Sequence, residues 1–255
     1  STIQKNGATD NSGNGGNIFN GTTIINNAGS GYLMTGNTTR DQFNGLTTFN
    51  NTGSYRVFIA QGHTSQTTTF AQNVIFNSNK SGGSDAWSYF ICDGNNTNVS
   101  FAGNVTYNVS GAIASNCRIL QGAGTTATYG GDLTYNVSNT NAATQMQVGV
   151  VGVSNYNGNI SVANTGGANG VYFNVNTTAS STLATTKTIS LGTGGFTSGT
   201  LSLIRFTQLG SAPQTLSQTT GTGILISGPT NIFNGDVTFN FPQLFLNGAT
   251  YNGTA

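Results

Sequence analysis

Short blocks along the chain alternate apolar and polar residues with a period of two. Each block opens on an aromatic residue, passes through Asn or Gly, and usually ends in Asn, as in Phe101-Ala-Gly-Asn-Val-Thr-Tyr-Asn108. The first six aromatic anchors lie 24, 27, 31, 28 and 27 residues apart. A short unit repeated at such a period is typical of a solenoid. The blocks begin at Phe19, Phe43, Phe70, Phe101, Tyr129, Tyr156 and Phe233.

Each unit also contains an apolar strand that closes on glycine, such as Val57-Phe-Ile-Ala-Gln-Gly62 and Tyr89-Phe-Ile-Cys-Asp-Gly94. The length of the chain between these strands varies, for example over residues 77–87. Length variation of this kind is expected in loops. The sequence therefore predicts two strands per unit and one variable corner.

The period of two sends alternate side chains of a block inward. Stacking the units then builds two inward columns, so that aromatic and β-branched residues form a continuous core that no unit could form alone. The predicted core stack contains Phe49, Phe76, Tyr107, Tyr135 and Phe239.

The residue that ends most blocks is asparagine. Asn tolerates the backbone of a corner, and stacked Asn amides can hydrogen-bond along a solenoid axis. We predict an Asn ladder, with a simple turn residue in an Asn-rich chain as the alternative. The ladder comprises Asn26, Asn50, Asn77, Asn108, Asn136 and Asn240, with Ala163 interrupting the column.

The fold prediction is an all-β, right-handed parallel β-helix (β-solenoid) of about nine coils over residues 1–255. Its handedness follows from the general preference for right-handed crossovers. We expect regular coils over 18–162, looser coils with longer loops over 163–232, and a regular coil over 233–255. The last five residues, 251–255, begin another block, which favours stacking on copies of the same chain or a longer array of the repeat.

Composition restricts the chemistry. The chain has 37 Gly, one His and 5% charged residues, and its net charge is +1. We expect no enzyme activity, no metal and no cofactor, because the acids are scattered and His63 has no evident catalytic partner in its block. Scattered Lys and Arg exclude nucleic acid as a partner, and no apolar stretch is long enough to insert into a membrane.

Two binding functions remain as alternatives. Trp87, the one Trp, lies in the variable stretch and is a possible glycan contact, with Tyr55 and Tyr172 flanking other corners. Ice binding calls for two neighbouring Thr columns, but the outward Thr column of the blocks is accompanied by a mixed column containing Asn104 and Asp132. Polysaccharide degradation would need clustered carboxylates, which the pattern does not supply.

Cys92 and Cys117 could form a disulfide in a secreted protein. Aligning the Gly-closed strands puts Cys117 beside Tyr89 and Cys92 beside Leu120, so the two thiols lie out of register. We predict two unpaired, mostly buried thiols.

The repeated Phe-Asn-Gly-x-Val-Thr-Phe-Asn blocks, the Asn-Thr-Gly joints and the late Leu-Asn-Gly-Ala-Thr-Tyr251 segment resemble the repeat regions of very large secreted surface proteins of Bacteroidota, among them gliding-type adhesins. The likeness spans nearly the whole chain. It implies an extracellular location at the bacterial cell surface and a structural or adhesive role as a rod or filament. The expected partners are further copies of the repeat and surface glycans.

Overall fold

The fold is a parallel β-solenoid. A computed structural model describes residues 1–62, 64–83 and 86–253, and these contain no helix. Their strands form three parallel sheets of ten strands each. The predicted all-β solenoid is confirmed, and about nine coils is close to the observed number. The handedness stays a prediction. His63 and Asp85, which belong to the argument about scattered charges and catalysis, lie outside the described residues.

Thirty short strands build the coils. The first ten are β1 (Thr2–Lys5), β2 (Asn11–Ser12), β3 (Ile18–Phe19), β4 (Thr23–Asn27), β5 (Leu33–Met34), β6 (Gln42–Phe43), β7 (Thr47–Asn51), β8 (Val57–Ile59), β9 (Thr67–Phe70) and β10 (Val74–Ser78). The next ten are β11 (Trp87–Ile91), β12 (Asn98–Phe101), β13 (Val105–Val109), β14 (Asn116–Ile119), β15 (Thr126–Tyr129), β16 (Leu133–Val137), β17 (Gln145–Val148), β18 (Val153–Tyr156), β19 (Ile160–Asn164) and β20 (Gly170–Phe173). The last ten are β21 (Ser180–Leu183), β22 (Ile189–Phe196), β23 (Thr200–Leu203), β24 (Phe206–Gln208), β25 (Gln214–Ser217), β26 (Ile224–Ser227), β27 (Ile232–Phe233), β28 (Val237–Asn240), β29 (Gln243–Leu246) and β30 (Thr250–Tyr251).

Every third strand belongs to the same sheet. The first sheet runs from β1 through β4 to β28, the second from β2 to β29, and the third from β3 to β30. Each coil thus gives one strand to each sheet, and consecutive coils pair in parallel. The sequence analysis missed the third sheet and assigned only two strands to a unit.

The first sheet holds the predicted core stack. Register places Phe49 beside Phe76, Phe76 beside Tyr107, and Tyr107 beside Tyr135. Their ring centroids are 5.2, 4.7 and 5.3 Å apart with nearly parallel planes. Phe239 belongs to the same column but is separated from these four by three aliphatic residues, and its partner in register is Leu216. Stacked rings fill the core along the axis.

The aromatic anchors form a second stack in the third sheet. Each of them ends a third-sheet strand rather than beginning a first-sheet strand, as Phe70 does in β9 and Phe101 does in β12. Adjacent rings from Phe19 to Tyr156 lie 4.6 to 5.1 Å apart. The Asn and Gly residues after an anchor form the corner that leads into the first sheet.

The looser segment, 163–232, continues all three sheets. The register shifts after Val162, where β22 is eight residues long. Phe196 ends β22 and pairs with Asn164 in the first sheet. Gln214–Ser217 forms β25 of the same sheet.

The corner after the second sheet uses left-handed backbone. Ala60, Cys92, Leu120 and Asn174 have φ values of 55, 56, 59 and 58°, each directly after a second-sheet strand. A left-handed residue with a Cβ costs roughly 1–2 kcal/mol. The repeated cost indicates that stacking between coils determines the path of this corner.

The glycines that close these strands are required for a different reason. A Cβ added at Gly94 would lie 2.0 Å from the backbone oxygen of Gln61, and one at Gly122 would lie 2.3 Å from that of Gly94. Because a real Cβ cannot approach backbone so closely, only glycine lets successive coils meet here.

Both cysteines are free and buried. Cys117 pairs with Tyr89 in register, and the amide of Leu120 donates to the oxygen of Ile91, which places Leu120 opposite Cys92. The predicted register and the unpaired thiols are therefore confirmed. Burial raises the pKa of each thiol to about 12.

Candidate functional site

Five of the six predicted ladder residues form a continuous chain of amide hydrogen bonds on the outer face of the first sheet. Each Nδ2 donates to the Oδ1 of the preceding Asn at 2.8 to 3.0 Å. The residues lie within strands and have no left-handed backbone, so they are not turn residues. The five are Asn26, Asn50, Asn77, Asn108 and Asn136.

Asn240, the sixth, is not connected to them. Ala163 ends the run, and Asn240 lies beside Ser217, whose Oγ is 3.5 Å from the Asn240 amide nitrogen. This contact is at the limit of a hydrogen bond.

A second set of asparagines, which the sequence reasoning missed, points inward. Asn27, Asn51 and Asn164 are buried, and each Nδ2 donates to two backbone oxygens at the corner. One oxygen belongs to the residue four positions later and the other to the next coil. The period of two could have found these residues, because it places them on the core side of β4, β7 and β19.

Trp87 begins strand β11 and is not in the loop where the sequence placed it. It lies on the outer face of the second sheet beside an outward column that passes through Phe58, Phe90 and Arg118. The Phe58 and Phe90 rings stack at 5.2 Å, and the Trp87 ring lies 5.6 Å from Phe90. We name the surface formed by these and the adjoining residues the aromatic–arginine face. It comprises Tyr32, Tyr55, Arg56, Phe58, Trp87, Phe90 and Arg118.

Arg118 makes three side-chain contacts on this face. Its guanidinium carbon lies 3.6 Å from the centroid of the Trp87 ring. Its Nε donates to Gln147 Oε1 at 3.0 Å and its Nη1 to Gln121 Oε1 at 2.9 Å. Cation–π stacking and two side-chain acceptors thus orient the group from three sides.

Two arginines and one aspartate are the charged residues described on or beside this face. Arg56 lies over the rings of Tyr55 and Phe90 at 5.2 and 5.1 Å. Partial burial lowers the pKa of Arg118, the negative charge of Asp93 opposes this effect, and the positive charge of Arg56 adds to it. Asp93 also accepts a hydrogen bond from Gln61 at 3.0 Å.

Of the other two predicted aromatic contacts, Tyr55 belongs to the same face as Trp87 and Tyr172 does not. Tyr55 belongs to the aromatic–arginine face through Tyr32 and Arg56. Tyr172 lies within β20, in the same outward column as Arg118 but two coils further along.

The outer face of the third sheet carries two neighbouring columns made mostly of small polar residues, with the apolar Val153 interrupting one of them. In register, each of five coils presents two outward residues separated by one inward residue, as Thr126 and Thr128 flank Ala127. We name this surface the hydroxyl face. Its two columns are Thr67, Asn98, Thr126, Val153 and Ser180, and Thr69, Ser100, Thr128, Asn155 and Thr182.

The two ends of the described solenoid expose apolar residues. In the first coil the inward-facing Ile3 is 38% exposed, and in the last described coil the inward-facing Leu244 and Leu246 are 39% and 54% exposed. These residues occupy end coils, which have a neighbouring coil on one side.

The described residues contain neither a metal-binding cluster nor a membrane-spanning helix. No group of three or more His, Cys, Asp or Glu that could hold a metal ion occurs among residues 1–62, 64–83 and 86–253. Within the same ranges, no helix has the length and apolarity needed to cross a membrane.

The fold defines the class of the protein as a parallel β-solenoid built from repeated coils. Comparisons with protein-family models, with curated proteins and with solved structures found no match to this chain.

Proposed function

We propose that the protein is an extracellular structural and adhesive repeat protein that forms a rod or filament at the bacterial cell surface by axial stacking. The observation that carries the proposal is that the first and last described coils share inward columns of apolar residues in the first and third sheets. Ile3 and Phe239 occupy one inward column of the first sheet. Phe19 and Tyr251 occupy one inward column of the third.

A second copy stacked in register would therefore continue the core. Ile3 of one copy would cover Phe239 of the other, and Phe19 would stack on Tyr251 as it stacks on Phe43 within the chain. The open strand edges of the end coils would gain parallel backbone partners. Burial of the apolar residues at both ends supports the association at about 25 cal/mol per Å² of apolar surface.

The extracellular location rests on other features. Few charges, many Asn, Thr and Gly residues, and the resemblance to secreted surface repeats support it. Surface labelling of intact source cells with an antibody against the chain tests the location directly, and labelling that requires permeabilised cells would contradict it.

Axial stacking is tested by electron microscopy and light scattering of the purified chain over a range of concentrations. We expect rods whose length grows with concentration. Ile3→Lys and Phe239→Lys, which place a charge in either end face, should each shorten them. Thr134→Lys, on the outer face of a middle coil, is the matched control and should leave them unchanged. A wild-type chain that stays monomeric at millimolar concentration overturns the proposal.

A second candidate function is ice binding, and the hydroxyl face favours it. In the third sheet two neighbouring outward columns carry Thr, Ser or Asn over five coils, and Val153 is the single apolar residue among them. Thermal hysteresis is the test. Ice binding requires activity that Thr128→Lys abolishes and Thr134→Lys preserves. Absence of hysteresis in the wild-type chain rejects this candidate.

A further inference from the structure

Gly21 lies in the corner between the third and first sheets of the first coil, and no described residue explains why it is glycine. A Cβ added to it would meet no atom within 4 Å. Its φ angle also lies outside the left-handed region that favours glycine. Neither a close approach within the chain nor the backbone conformation therefore requires glycine at this position.

The equivalent glycines of other coils are explained by contact with the preceding coil. A Cβ added at Gly45 would lie 2.5 Å from the backbone oxygen of Gly21. A Cβ added at Gly253, in the last described coil, would lie 2.6 Å from the backbone oxygen of Gly235. Glycine at this position thus belongs to a corner that contacts the backbone of a preceding coil. Gly21 has the same feature in the first coil, where the described chain supplies no such neighbour.

The asparagine before the glycine gives this corner a direction. In the first two coils the Nδ2 of Asn44 donates to the Oδ1 of Asn20 at 2.8 Å. In the last two described coils the Nδ2 of Asn252 donates to the Oδ1 of Asn234, also at 2.8 Å. Among the described residues, no acceptor bonds to Asn20 Nδ2 and no donor bonds to Asn252 Oδ1. The two end coils therefore offer opposite halves of the same amide bond.

We propose that the first coil binds the last described coil of a second copy of this chain, head to tail, with Gly21 against the backbone of Gly253. Asn20 Nδ2 then donates to Asn252 Oδ1 of the other copy. This inference rests on the proposed axial stacking and adds to it the corner residues that determine the register and polarity of the junction.

The register of the core supports the same junction. Phe19 and Tyr251 immediately precede the two asparagines and end strands of the third sheet. A slip of one residue would turn Phe19 away from Tyr251 and would set a side chain against backbone where the register now places Gly21. Two first coils facing each other would bring one Asn20 Nδ2 against another, so the amide bond requires the opposite end of a second copy.

Gly21→Ala tests the contact because it separates assembly from folding. Electron microscopy and light scattering measure rod formation, and thermal denaturation at a concentration too low for stacking measures the fold. Gly21→Ala should melt at the wild-type temperature but need about tenfold or more protein to form rods, since the added methyl overpacks the junction. Gly45→Ala should melt at a lower temperature. Ala102→Ser, at an exposed corner position of a middle coil, is the control and should match the wild-type chain in both assays.

Cysteine pairing tests the register and the polarity. Neighbouring coils place Cα atoms about 4.8 Å apart, a distance that a disulfide can bridge. Asn20→Cys and Asn252→Cys, mixed in equal amounts and mildly oxidised, should form a dimer that neither variant forms alone. Asn20→Cys mixed with Asn157→Cys, an exposed corner position of a middle coil, is the control and should form none. The native thiols of Cys92 and Cys117 are buried and should not react.

The outcomes distinguish this inference from axial stacking itself. Rods that form equally well from Gly21→Ala and from the wild-type chain would overturn the proposed junction and leave stacking intact. Wild-type rods without a mixed dimer of Asn20→Cys and Asn252→Cys would do the same, because another surface would then form the junction. A loss of melting temperature in Gly21→Ala as large as that in Gly45→Ala would show that the glycine serves the single chain, which also rejects the junction. A wild-type chain that stays monomeric at millimolar concentration overturns both proposals.

Discussion

The Asn ladder allows the contribution of a single amide to be measured by comparing its interior with its end. Asn77 donates to Asn50 and accepts from Asn108, both at 2.8 Å. Asn136 donates to Asn108 at 3.0 Å and lies beside Ala163, which has no side-chain acceptor. Alanine at Asn77 therefore breaks two amide bonds, whereas alanine at Asn136 breaks one.

A net hydrogen bond contributes about 0.5–1.5 kcal/mol, and these side chains are partly exposed, so water replaces some of what is lost. We expect Asn77→Ala to lower the free energy of unfolding by about 1–2 kcal/mol and Asn136→Ala by about half as much. The stability of a solenoid is approximately a sum over its coils and the interfaces between neighbouring coils. The losses of unfolding free energy in two different coils can therefore be compared directly.

Urea denaturation monitored by circular dichroism measures both variants. The midpoint should fall for each with the slope unchanged, since the substitutions remove contacts without altering the surface exposed on unfolding. Equal midpoints for Asn77→Ala and the wild-type chain would refute the reasoning. So would a larger loss for Asn136→Ala than for Asn77→Ala.

Further predictions concern the glycines, the thiols and alkaline pH. Gly94→Ala should lower the free energy of unfolding by at least about 1–3 kcal/mol, because its Cβ would meet the backbone of the preceding coil. Gly21→Ala has open space around its Cβ and should lower the free energy of unfolding far less. Thermal denaturation compares the two variants. Cys92 and Cys117 should react with a thiol reagent only after unfolding, and rapid reaction of the native chain would contradict their burial. Burial holds both thiol pKa values at about 12 in place of 9.0, so the folded chain retains protons that the unfolded chain loses. Stability should therefore fall above pH 9, by up to about 1.4 kcal/mol per pH unit for each thiol, and a midpoint constant from pH 8 to 11 would contradict this.

The sequence predicted the first sheet well because its strands alternate cleanly. Phe76 and Tyr107 lie two residues after Val74 and Val105, and all four point inward as expected. The repeat spacing alone was enough to predict that the coils stack and that their strands run parallel.

The third sheet was missed because its strands contain few apolar residues before the anchor. In β9 the inward residue ahead of Phe70 is Thr68, which a pattern of hydrophobic residues does not distinguish from loop. Trp87 was assigned to a loop for a related reason, since the Gly- and Ser-rich residues before it conceal where β11 begins. The stacking of Arg118 on Trp87 joins two coils and depends on register that only the structure provides.

The pairing of Val105 with Leu133 means that residues 105–132 make up one complete coil. Their removal would join residue 104 to Leu133 and bring β10 against β16, with Phe76 meeting Tyr135 and Asn77 meeting Asn136. In the third sheet Phe101 would meet Tyr156, so the first and third sheets would both close in register. The molecule can thus change its length in whole steps of about 4.8 Å while its cross-section remains constant. Gain or loss of a coil by recombination between repeats would change the length of the solenoid without disrupting its fold.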